Sequence, residues 1–226
     1  CHYCGKTKKQ PNLCPKCGSK YVKFFGAGTE RVEEEVRKYL KNAKILRMDV
    51  DTTRAKDSHE KIYNAFKAGE ADILIGTQMV SKGLDFPNVT LVGILSADMS
   101  LNLPDYRAAE RSFQIITQVA GRAGRGEKEG EVIVQTYTPE HYSLQYAKKY
   151  DYEDFYEKEF TIRAMMGYPP FGRILLINGI GKNEDELKKQ MIFLGKKVKE
   201  KAEEFGGLEV LGPTPCIIYK IKENYR

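Results

Sequence analysis

Three short runs constrain this chain more than anything else in it: ADILIGT (71–77), VTLVGILSAD (89–98) and GEVIVQTY (130–137) are almost continuously apolar. A strand with one face in water alternates apolar and polar residues. A strand that does not alternate is covered on both faces, as in a parallel sheet between layers of helices. The segments around these runs supply the helices. After VKFFGAGT (22–29), Thr29 is expected to cap a helix whose Val32, Val36, Tyr39 and Leu40 face inward. KILRMDVD (44–51) reads as a further strand. Asp57 with Glu60 predicts a capping box opening a helix that carries Ile62 and Phe66 and ends at Gly69. Residues 105–120 predict a helix that ends in QVAGRAGR (118–125). The fold class implied is α/β, a parallel sheet with helices on both faces. In such sheets the ligand loops follow the carboxyl ends of strands, and both GTQMVSKGLDFPN (76–88) and GRAGR (121–125) are read as loops of that kind.

The alternation stops at DYEDFYEKEFTIRAMMGYPPFG (151–172), an aromatic, acidic helix that its paired prolines must end. A strand RILLINGIG (173–181), a helix over 183–205 with Leu187, Met191, Leu194 and Val198 inward, and a strand LEVLGPTP (208–215) follow. They suggest a smaller, truncated α+β domain. The organisation expected is therefore a module at 1–22, an α/β lobe at 23–150 and a C-terminal domain at 151–226. The chain starts at Cys1 rather than Met and reads as a piece of a longer protein.

Four of the five cysteines form CHYC (Cys1, Cys4) and CPKC (Cys14, Cys17). Each C-x-x-C turn sets two thiolates on one side of a tight knuckle, and two knuckles complete the tetrahedral sulfur shell that zinc prefers. Cys216, alone between prolines, reads as a small apolar residue. The first 25 residues also hold six lysines and no acid, while the net charge of the whole chain is +6. A basic head on a neutral body fits either local contact with nucleic acid or a solvated surface. No apolar run approaches the ~18 residues of a membrane span, and no signal peptide opens the chain, so a cytoplasmic site is expected.

QVAGRAGR places Arg122 and Arg125 among residues too small to crowd them. This is either a helix end with two solvated arginines or a place where backbone and guanidinium forks approach a phosphate.

Several stretches then occur in a fixed order: GAGTERVEEE, RMDVDTTR, ILIGTQMVSKGLDFPNVTLVG, PDYRAAERSFQ, TQVAGRAGR, VIVQTYTPEH, YPPFGRILL and VLGPTP, all after CHYCG and CPKCGS. Together they resemble the primosomal replication-restart helicases, the PriA-type family of superfamily 2. The resemblance covers essentially the whole chain. It implies a RecA-like second helicase lobe, a Cys4-type zinc module and a truncated C-terminal domain. The activity it implies is ATP-driven 3′→5′ DNA unwinding at stalled or abandoned replication forks, with primosome assembly to restart replication. By the same resemblance, Gln118, Gly121, Arg122 and Arg125 form helicase motif VI. Arg125 would be the arginine finger and Arg122 a second contact to the γ-phosphate, with Gln118 in the same catalytic set. Gly83 and Asp85 match motif V, where Asp85 would accept a ribose hydroxyl and Gly83 would let the backbone close in. Thr77, Gln78 and Lys82 would touch DNA phosphates, although Lys82 also reads as a plain surface lysine. Gly28 and Thr29 either hold a phosphate at a helix N-terminus or simply cap it. Asp49, Asp51 and Arg54 are read as an internal ion pair.

The chain has no G-x-x-x-x-G-K-[ST], so most ligands for ATP and magnesium would lie on a missing lobe and this piece alone would be inactive. The family carries four C-x-x-C pairs and two zincs. The two pairs present therefore share one zinc or belong to two. The partners implied are forked and single-stranded DNA, single-strand DNA-binding protein, and primosome and helicase-loading proteins, with no membrane and a place at the nucleoid. The rival readings are a non-catalytic zinc-ribbon scaffold and a superfamily 2 repair or branch-migration translocase.

Overall fold

The computed structural model describes residues 28–53, 55, 57–77, 85–124 and 128–226, with Leu13 and Gly18. It divides into two compact units: residues 23–173, and residues 174–226 with the two isolated positions.

The larger unit is built on two parallel strand pairs. β1 (Ile45–Met48) pairs with β2 (Ile73–Gly76), Ile45 opposite Ile73 and Met48 opposite Gly76. β3 (Leu91–Ile94) pairs with β4 (Glu131–Val134), Leu91 opposite Glu131 and Ile94 opposite Val134. Parallel neighbours need a crossover. The helix α2 (Ser58–Lys67) provides it for the first pair, and α3 (Asp98–Leu101) with α4 (Ala108–Ala120) for the second. α1 (Thr29–Tyr39) precedes β1. Among the described residues no ladder joins the two pairs.

Each pair has its own core. Met48 is fully buried beside Phe86, whose ring meets Tyr63 at 5.3 Å and the edge of Phe66 at 4.9 Å. On the second pair Ala97, Phe113, Ile116, Leu144, Ala147 and Phe155 pack together. Phe113 and Phe155 stack at 4.1 Å. Leu144 and Ala147 come from α5 (Tyr142–Lys149), and Phe155 from α6 (Tyr152–Met166). Burying one such ring contributes roughly 1.5–3 kcal/mol, so α6 is anchored in this unit. The compact unit runs on to residue 173, beyond the turn that Gly167 (φ +63) and the two prolines make.

Two helix starts differ from expectation. α1 is N-capped by Gly28 without a side-chain bond, and the Thr29 hydroxyl donates instead to Asp49. Asp49 is buried at the end of β1 and needs donors. It also accepts the amides of Asp51 (3.0 Å) and Thr52 (2.9 Å) and pairs with Arg47 at 2.9 Å. Burial alone would raise its carboxyl, but these donors outweigh it and hold it below the ordinary range. Asp57 adopts a left-handed backbone (φ 66) and makes no side-chain cap bond, so the capping box does not form. Along α1, Val32 and Val36 are half-buried, but Tyr39 and Leu40 are exposed.

The carboxyl ends of β3 and β4 are joined through Asp98. Its side chain, 2% exposed as a residue, accepts the Tyr137 amide at 3.1 Å and the hydroxyls of Thr136 and Thr138 at 3.0 Å each. Burial would push its carboxyl up, and the Tyr137, Thr138 and Thr136 donors more than reverse that. Asp98→Ala strands three donors and is expected to cost about 3 kcal/mol. Because the folded carboxyl is depressed, its stabilisation is present above about pH 4 and is lost as pH falls through the folded value. The stability gap between wild type and variant should therefore narrow in acid unfolding. A gap that stays constant down to about pH 2 would contradict the account.

In the smaller unit, α7 (Glu184–Phe205) begins where the Asn183 side chain accepts the Glu186 amide at 3.1 Å, and it stops at Gly206 (φ +68). Leu187, Met191 and Val198 are half-buried as expected, and Ala202 is buried; Leu194 is exposed. Its place on the inward stripe is taken by Gly195, where a Cβ would sit 3.0 Å from the Pro213 ring. β5 (Lys220–Ile221) and β6 (Asn224–Tyr225) form a small antiparallel ladder, and Gly181 bridges to Tyr225. The strands expected over 173–181 and 208–215 are not formed beyond that bridge. Their apolar residues are present, but no described neighbour offers a ladder, and Leu175 and Leu211 stand largely exposed.

Candidate nucleotide and nucleic-acid site

α4 forms because small and apolar residues recur on one face: Ala108, Ser112, Phe113, Ile116 and Ala120 are buried. That stripe leaves Gln118 exposed on the last turn. Gly121 is the C-cap, its amide bonded to Thr117 O at 3.0 Å. A Cβ there would lie 3.3 Å from that same carbonyl, so the position is already tight. The chain keeps turning through Arg122, whose amide donates to Val119 O (3.0 Å), and Ala123, which donates to Ala120 O (3.1 Å). Gly124 then turns left-handed at φ +71 and donates its amide to Val89 O at 3.0 Å.

That last bond decides where the site lies. Val89 precedes β3, and Gly124 leads toward β4. The GRAG turn therefore sits at the amino ends of these strands, not at the carboxyl ends expected of it. A turn that follows a helix and enters a parallel strand can only be at that end. The bond also joins the turn to the segment running from Asp85 to Val89, which the buried Phe86 holds in place. Asp85 is exposed, and its carbonyl accepts a long bond from the Tyr63 hydroxyl at 3.5 Å. Arg122 is half-buried. Chemically, the place offers a guanidinium fork on a short, glycine-flanked turn tied to the lead-in of β3.

Two domain families match the chain: the helicase conserved C-terminal domain over residues 16–127, and the primosomal protein N C-terminal domain over residues 164–226. The first includes the whole GRAG turn. The replication restart protein PriA of Bacillus subtilis is 51% identical over 228 residues, covering 100% of this chain and 28% of that protein. The PriA proteins of Synechocystis and Borreliella burgdorferi are 45% and 42% identical, each over 100% of this chain and over 27% and 34% of their own lengths. Along its whole length the chain is similar to PriA-type replication restart proteins. It spans about a third or less of the length of these PriA relatives. A looser likeness, to the C-terminal domain of the DEAD-box protein Dbp5, has a TM-score of 0.40 at 18% identity over 60% of this chain and 76% of that one, and carries no argument.

Of the residues that match the PriA-type motifs, Gly121 and Arg122 lie on the turn that the Gly124–Val89 bond ties to the lead-in of β3, and Asp85 lies four residues before Val89. Thr77 is exposed directly after β2. Gly28 is exposed at the start of α1, while the Thr29 hydroxyl is committed to Asp49. Gln78, Lys82, Gly83, Arg125 and the cysteines Cys1, Cys4, Cys14 and Cys17 lie outside the described residues, as does Arg54. The partner found for Asp49 is Arg47. Among the described residues no group of His, Cys, Asp and Glu could hold a metal, and no helix is long and apolar enough to cross a membrane.

Sequence reasoning missed two features that hold this region. One is Gly130, which precedes β4 and packs against the GRAG turn. The other is a buried polar cluster: Arg163 on α6 reaches Glu110 on α4 at 2.6 Å and Glu159 at 2.8 Å, and the Tyr142 hydroxyl donates to Glu159 at 2.6 Å. Burial and the bond to Glu159 both raise the Tyr142 hydroxyl well above its ordinary value. A signal for Arg163 was weak in the sequence, because its partners lie 53 and 4 residues away.

Proposed function

We propose that this chain supplies the second motor lobe of an ATP-dependent 3′→5′ DNA helicase that acts at stalled or abandoned forks and restarts replication by assembling the primosome. The observation that supports the reading is the Gly124–Val89 bond, which ties the GRAG turn to the lead-in of β3, four residues after Asp85. Motif VI then presents Arg122 and Arg125 toward a nucleotide bound mainly by another lobe, with Arg125 as the finger and Gln118 on the adjoining helical turn. Gly83 and Asp85 line the ribose side. Magnesium and the phosphate cradle belong to the missing P-loop lobe, and the isolated piece is inactive.

Thr77, Gln78 and Lys82 follow β2 and contact the backbone of the tracked strand. Gly28 is open to a phosphate; Thr29 supports it through Asp49 rather than by direct contact. Cys1, Cys4, Cys14 and Cys17 are zinc ligands: four thiolates at this spacing are the donor set of a structural zinc site, and metal binding replaces a core that so short a segment could not build. The six nearby lysines suit forked and single-stranded DNA. Single-strand DNA-binding protein, primosome components and helicase loaders are the protein partners, in the cytoplasm at the nucleoid. The division into a zinc module, a motor lobe and a C-terminal domain follows the same reading.

The test is strand displacement by the full-length protein on duplexes with a 3′ or a 5′ single-stranded tail. ATP-dependent unwinding that requires the 3′ tail, with no hydrolysis by residues 1–226 alone, is the expected result. Tight fork binding without ATP-dependent displacement would leave a non-catalytic scaffold as the better account.

A further inference from the structure

We propose that Gly124 and Gly130 form a back-to-back seat that fixes the direction of the GRAG turn, which makes Gly130 a positioning residue for Arg122; the inference rests on the reading of that turn as part of an ATP site. α4 alone does not aim Arg122, because the chain leaves the helix two residues later through a left-handed glycine. What fixes the turn is contact with the lead-in to β4. A Cβ added to Gly124 would sit 2.6 Å from Gly130 N and 3.1 Å from its Cα. Viewed from the other side, a Cβ on Gly130 would overlap Gly124 N and the Ala123 carbonyl carbon, and would lie 2.6 Å from the Ala123 methyl. The two backbones touch with no room for a side chain at either position.

Both glycines are also held from behind. Gly124 donates to Val89 O at 3.0 Å, and Glu131, the residue after Gly130, donates to Thr90 O at 2.8 Å. The turn, the lead-in to β3 and the lead-in to β4 are thus pinned to one another within two adjacent residues of each. The first glycine belongs to the GRAG motif. The second belongs to no motif and would read as an ordinary loop residue.

A methyl at Gly130 must clear the Ala123 methyl, 2.6 Å away, and the Gly124 amide nitrogen, closer still, to reach the 3.4 Å of ordinary contact, which displaces the two residues after Arg122 by about an ångström. Misplacement of about 1 Å in a group that stabilises a transition state costs on the order of 10²-fold in rate. Ground-state binding of the nucleotide, which rests mainly on the other lobe, should hardly change.

The experiment compares full-length wild type with Gly130→Ala and Arg122→Ala. It measures fork-stimulated ATP hydrolysis, affinity for ADP and for fork DNA, and affinity for ADP with a metal fluoride that mimics the transferring phosphoryl group. For Gly130→Ala, kcat should fall on the order of 10- to 100-fold and affinity for the mimic by a similar factor, with ADP and fork affinities within about two-fold of wild type. A kcat within about two-fold of wild type would overturn the inference. So would a parallel fall of every affinity with Tm, which marks general damage to the fold. If Gly130→Ala does not fold, Ala123→Gly removes the methyl that abuts Gly130 without adding an atom. It should cost a few-fold in kcat at unchanged ADP affinity, and an unchanged kcat there would equally overturn the inference. Arg122→Ala separates the two levels. Wild-type hydrolysis in that variant sinks the ATP-site reading itself, whereas loss there with retention in Gly130→Ala sinks only the positioning role.

Discussion

Arg163→Ala is expected to destabilise the larger unit by about 3 kcal/mol, a large part of the roughly 5–15 kcal/mol that holds a domain folded. The side chain of Arg163 is only 15% exposed, and its fork is fully used. Nη2 meets Glu110 at 2.6 Å, Nε meets Glu159 at 2.8 Å, Nη1 donates to Pro169 O at 3.4 Å, and the guanidinium lies 5.1 Å over the Tyr106 ring. Burial alone would make the guanidinium easier to deprotonate, but its bonds to Glu110 and Glu159 outweigh that and raise it further. Removing the arginine leaves Glu159, 7% exposed, with the Tyr142 hydroxyl as its remaining side-chain donor among the described residues. Truncating one side of such a pair is costly because the other charge stays buried, not because the pair itself adds much net stability. Arg163→Lys keeps the charge but cannot fork to both carboxylates, and should recover about half of the loss. Thermal unfolding of the full-length protein, followed for the transition of this unit, checks both. A shift for Arg163→Ala no larger than that of an exposed Arg→Ala control would show the cluster to be dispensable.

The cluster also shows where the sequence was legible and where it was not. The strands of the larger unit were, because continuous apolar runs such as ADILIGT have few alternatives once they are too short to be buried helices. α4 was legible through its single apolar face, and the GRAGR segment through its composition. What failed were choices among competing partners. Thr29 is a good cap by type, yet a buried Asp49 twenty residues away takes its hydroxyl, because an unsatisfied buried carboxylate costs more than an open helix start. Asp57 and Glu60 have capping-box spacing, but the backbone at Asp57 is left-handed. The domain boundary was put before α6 because aromatic and acidic residues broke the α/β rhythm. Phe155, stacked on Phe113, shows that the helix belongs with the strands it follows. Gly130 carried no local signal at all, since the need for glycine there comes from Gly124 across a turn.

The largest effect is expected at Arg125. In phosphoryl transfer the developing charge spreads over the equatorial oxygens of the moving group, and a guanidinium fork meets two of them at once. Its contribution is made in the transition state, so its loss appears in kcat and leaves nucleotide and DNA binding nearly intact. A finger of this kind is worth on the order of 10³-fold or more in rate. Lysine in its place retains a point charge but not the planar fork, and should restore little of the rate. Neighbouring Arg122 stands on the turn held by the Gly124–Val89 bond.

The most direct measurement is therefore fork-stimulated ATP hydrolysis by the full-length protein, wild type against Arg125→Ala, with fork affinity measured on the same preparations. The account predicts a fall in kcat of about 10³-fold at unchanged fork affinity. Hydrolysis at the wild-type rate would return QVAGRAGR to a solvated helix end and contradict the assignment of this lobe to a shared ATP site.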